Sequence, residues 1–102
     1  MVYQAPVNDI MFALKSAAGL DELLASGVYE GLDEETIKAV LDEAGRFASE
    51  VLDPLNRTGD QQGAQLSDGI VATPDGWGEA YEKFTEAGWN GLPCPHDFGG
   101  QG

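Results

Sequence analysis

Between Asp33 and Leu55 the apolar side chains fall at Ile37, Val40, Leu41, Ala44, Phe47, Ala48, Val51 and Leu55. Spacings of three and four draw one stripe on a 3.6-residue period, which a strand, alternating every second residue, cannot produce. Glu35, Lys38, Asp42, Glu43, Arg46, Ser49, Glu50 and Asp53 take the opposite face. Asp33 is placed to cap the start, and Glu34 and Glu35 stand where the helix dipole favours negative charge. Pro54 should kink or end the element. The pattern predicts an amphipathic helix from residue 33 to about 53 or a turn beyond, with a stripe that must be covered.

A second clear helix follows from Thr73-Pro74, read as a cap and a proline at the first helical position. Its apolar stripe is Trp77, Ala80, Tyr81, Phe84 and Ala87, and Gly88 supplies the left-handed residue that closes it. That stripe is the only face this helix can bury, so its aromatics read as core ahead of a ligand-pocket floor. Nearer the amino terminus, Asn8 or Asp9 can cap a short helix holding Ile10, Phe12, Ala13 and Leu14 and ending at Gly19. Asp21–Ala25 forms another turn or two before Gly27. Asp68-Gly69 signals a turn, with Ile70-Val71-Ala72 briefly extended beside it. Beyond Gly88 the chain reads as loop. The fold class expected is all-α, a small domain of about four helices. No strand alternates with helix, which argues against a dinucleotide-binding βαβ unit.

Charge narrows the partners. Eighteen Asp and Glu stand against five Lys and Arg, a net charge of −13. Such a surface repels phosphate backbones and anionic lipid, so no nucleic acid is expected. No apolar run reaches the ~20 residues of a membrane span, and the amino terminus lacks the basic-then-apolar order of a secretory signal. Cys94 is the only cysteine, so no intrachain disulfide can form, and a cytoplasmic setting is expected.

Few side chains offer chemistry. Cys94 and His96 sit two apart in a proline-flanked loop, but that spacing places no base on a thiol and supplies no group to orient the imidazole. One histidine, one cysteine and scattered carboxylates make no zinc set, and the acids match no calcium loop. The closing Phe98-Gly99-Gly100-Gln101-Gly102 suggests a phosphate cradle. The dinucleotide fingerprint needs a preceding strand and a third glycine that opens a helix, and a P-loop needs Gly-Lys-Ser/Thr. None of these is present. No catalytic, cofactor-binding or metal-ligating residue is assigned. Trp89 and Leu92 lie in a loop and are less committed to a core, free to line a cavity or interface.

In order, the segments RFASEVLDPLNRTGD, DGIVATP, GWGEAYEKFTEAGWNGL and PHDFGGQG resemble the amino-terminal α-domain of the acyl-CoA dehydrogenases. The leader YQAPVNDIMFAL is similar to that of the longer subgroup, which acts on long-chain or methylthio-propanoyl-type thioesters. The resemblance covers essentially the whole chain. It implies a leader with short helices over residues 1–31 and a helical domain over 32–102 that stops before a middle β-domain. It also implies a larger homo-oligomeric enzyme that desaturates an acyl-CoA thioester with FAD, the flavin and the catalytic carboxylate lying in other domains. This segment would pack on those domains and help wall the acyl pocket with Trp89, Leu92 and Phe98, and by itself it would carry neither flavin nor activity. The competing expectation is a free-standing acidic helical module that binds a protein partner. An acyl-carrier version needs an Asp-Ser-Leu site, which Leu66-Ser67-Asp68 does not match.

Overall fold

A computed structural model describes residues 2–102. The chain divides into two compact units, residues 1–50 and 51–102.

In the first unit, helix α1 spans Val7–Ser16, α2 spans Leu20–Ala25 and α3 spans Glu34–Phe47. Helix α1 does not start from an Asn8 or Asp9 cap. Pro6 precedes it, the Pro6 carbonyl accepts the Ile10 amide at 2.9 Å, and Asp9 falls inside the first turn. Proline presets φ near its helical value, so the chain enters the helix two residues early. Gly19 does not close α1, which ends at Ser16. It instead opens α2 with a left-handed φ of 70°, its carbonyl accepting the Leu23 amide. Asp33 caps α3 as expected, Oδ1 accepting the Thr36 amide at 2.7 Å. The Thr36 hydroxyl, and after it this amide bond, hold the Asp33 carboxyl below its usual range.

The long stripe lies where its period puts it. Ile37, Val40, Leu41, Ala44 and Phe47 are all half-buried, while Glu35, Lys38, Asp42, Glu43 and Arg46 are exposed. Helix α1 packs against α3 with Ala5 and Val7 over Gly45, where an added Cβ would lie 3.0 Å from the Ala5 methyl. Met11 and Leu20 are the deepest apolar side chains of this unit. Lys15 Nζ pairs with Glu34 at 3.0 Å, and that bond raises the lysine's pKa.

After Phe47 the helix does not stop. Residues Ala48–Leu52 form one π turn, and α4 continues over Asp53–Gln62. Pro54 was expected to end or kink the helix, and the helix does not end there. Its ring nitrogen cannot donate to the carbonyl four residues back, Glu50. The chain takes in an extra residue as a π turn and leaves Pro54 in the first turn of a fresh α-segment, where a proline is tolerated. Ser49 Oγ donates to the Gly45 carbonyl at 2.9 Å, serving a backbone group next to the irregularity.

In the second unit, strands β1 (Gln65–Ser67) and β2 (Ile70–Ala72) pair antiparallel, with Leu66 opposite Val71. Asp68 and Gly69 both have positive φ, 51° and 76°, as a two-residue type I′ hairpin demands. The expected turn and extended piece are thus the bend and second strand of one exposed ribbon, whose first strand, β1, the sequence reading did not include. Gln62 fastens its base: the Gln62 carbonyl accepts from Gln65 Nε2 at 3.1 Å, and its Oε1 accepts the Asp75 amide at 2.9 Å.

Helix α5 spans Trp77–Glu86, three residues later than the Thr73-Pro74 reading placed it. Pro74 is buried instead of leading the helix, and Gly76, at φ 84°, makes the entry. Gly88 closes the end with φ 82°, as expected. The last stretch holds two single 3-10 turns, Trp89–Gly91 and His96–Phe98. The architecture is a small, mostly helical domain with one minimal hairpin.

Candidate functional site

The site grows from the way α4 and α5 meet. Gly59, in the middle of α4, costs helix stability in the abstract, yet an added Cβ there would stand 2.7 Å from Trp77 Cζ2. Its bareness lets the indole lie against the helix backbone. Gly76 does the same for Leu55, whose Cδ2 would meet a Cβ at 2.8 Å. Between these contacts an open groove of about 300 Å³ is lined by Leu52, Leu55 and Asn56 from α4 and by Trp77, Ala80, Tyr81 and Phe84 from α5.

The α5 stripe was expected to be core, and only Ala80 is buried. Tyr81 remains 65% exposed and Trp77 46%. The reason is supply: α4 offers only two leucines and an amide to the face opposite, too little to cover three rings. Tyr81 and Phe84 stack with centroids 6.3 Å apart and planes 24° from parallel. No carboxylate, histidine or cation lines the groove, so its chemistry is burial of an apolar group, and Asn56, Trp77 and Tyr81 are the lining residues that carry polar side-chain atoms. Leu52 falls outside the stripe read from Ile37 to Leu55, and Asn56 lies beyond the proline taken to kink or end the helix. The clue was the run of spacings 52, 55, 56 and 59 that carries on across Pro54.

Trp89, Leu92 and Phe98 stand elsewhere in this unit. Trp89 is half-buried, its carbonyl accepting the Leu92 amide at 3.4 Å in the first 3-10 turn. Leu92 is exposed, and Phe98, in the second turn, is 85% exposed. The loop between them is held by main-chain bonds. Gly100 N donates to Pro95 O at 3.1 Å, Gln101 N to Gly91 O at 3.3 Å, and Gly102 N to Cys94 O at 2.8 Å. Gly100 is buried against the Cys94 carbonyl, from which an added Cβ would be 2.0 Å away. The glycines therefore close a compact turn, and it is the backbone of Cys94, not its thiol, that the turn uses.

Among the described residues no group of His, Cys, Asp or Glu is arranged to hold a metal ion, and no helix is long and apolar enough to cross a membrane.

Fold and groove together define a class: a small, mostly helical domain that leaves an aromatic face open. No protein-family model matches the chain. Over all 102 residues it is 40% identical to the 3-methylmercaptopropionyl-CoA dehydrogenase of Ruegeria pomeroyi, and the match spans 17% of that protein. The resemblance to acyl-CoA dehydrogenases thus runs the whole length of the chain, which spans about a sixth of that relative's length.

The resemblance implies FAD in a full-length enzyme of that kind. Its diphosphate calls for cations or a glycine-rich helix start. Of the five Lys and Arg, Lys15, Lys38, Arg46 and Lys83 are paired with Glu34, Asp42, Glu43 and Glu79 respectively, Arg57 on α4 is exposed, and no cation lines the groove.

Proposed function

We propose that these residues form the amino-terminal helical domain of a cytoplasmic, homo-oligomeric, FAD-dependent acyl-CoA dehydrogenase. In this reading residues 1–31 are its leader and 32–102 its first helical domain. The enzyme desaturates the α,β-bond of an acyl-CoA thioester, and the 3-methylmercaptopropionyl thioester of the relative is the first substrate to try. The observation that carries the reading is identity of 40% sustained over the entire chain against a protein about six times as long.

On this reading the domain contributes packing and walls, not reacting groups. The exposed rings of α5 lie against the rest of the enzyme, and Trp89, Leu92 and Phe98 form part of the acyl pocket. Phe98 and Tyr81, 85% and 65% exposed, support a domain that other domains cover.

The test compares the whole enzyme with the segment. The enzyme should purify with flavin absorption and reduce an artificial electron acceptor when given acyl-CoA. Residues 1–102 alone should do neither. Phe98→Ala in the enzyme should raise KM for the acyl thioester more than it lowers kcat. Stoichiometric flavin on the isolated segment would overturn the division of labour. A whole protein without flavin or acyl-CoA-dependent reduction would overturn the family function and leave the acidic interaction module as the reading to pursue.

A further inference from the structure

We draw no further inference here: the strongest candidate, the open aromatic groove between α4 and α5, has nothing in the structure to show what covers it beyond the domain packing already proposed.

Discussion

Replacing Gly100 with alanine tests whether the terminal turn is shaped by its backbone. The new methyl carbon would stand 2.0 Å from the Cys94 carbonyl oxygen. An ordinary carbon–oxygen contact is about 3.3 Å, so roughly 1.3 Å must be found by moving main chain. No rotamer can relieve it, because both partners are backbone. Three bonds span the gap that would have to widen: Gly100 to Pro95, Gln101 to Gly91 and Gly102 to Cys94. At about 1 kcal/mol net each, their loss destabilises the closed turn by about 3 kcal/mol. Gly99→Ala is the control. Gly99 has φ 81° but no atom near an added Cβ, so only the left-handed penalty of about 1–2 kcal/mol applies. Amide hydrogen exchange at Gln101 and Gly102 reads the difference: about a hundredfold acceleration in Gly100→Ala, about tenfold in Gly99→Ala. Equal acceleration in both variants, or unchanged exchange in Gly100→Ala, would refute the steric argument.

Leu20→Ala removes one of the two deepest apolar side chains of the first unit and should cost about 3 kcal/mol, lowering its urea midpoint. A midpoint unchanged within error would mean that the α1–α2 contact does not stabilise the unit. The Asp33 cap should make α3 pH-sensitive in a defined direction. Its folded pKa is depressed by the Thr36 hydroxyl and amide, so its contribution is complete above the unfolded-state pKa and is lost as pH falls through the lower folded value. Carboxyl titration by NMR should show the depressed value, and Asp33→Asn should flatten this part of the pH dependence of helicity. The isolated chain should self-associate through its open aromatic face, and Tyr81→Glu should shift it toward monomer in sedimentation without loss of helix. Association indifferent to that charge would place the sticky surface elsewhere.

Where local chemistry decides structure, the residues spoke clearly. The stripe from Ile37 to Phe47, the Asp33 cap, the Gly88 terminus and the Asp68-Gly69 turn could all be read because each depends on neighbours within a few positions. The departures all turn on the backbone, at glycines and a proline. Gly19 opens α2 in place of closing α1, and Gly76 makes room for Leu55. Pro54 is absorbed by a π turn, which single-sequence reasoning has no pattern for. The groove was half legible. Its aromatic wall was seen and assigned to core, because periodicity says which side chains share a face and not whether the facing helix can cover them.

The hairpin has a use that its size hides. Strands of three residues with every side chain exposed gain almost nothing from burial, and a lone two-stranded ribbon is marginal in water. Its amides should therefore exchange with solvent nearly as fast as those of an open chain whenever nothing lies on it. Any surface that settles against Leu66, Ile70 or Val71 would slow that exchange at once. Residues 65–72 thus act as an intrinsic gauge of contact, readable without label or substitution, and the same spectrum taken on the segment and on a longer polypeptide would report whether the two differ there.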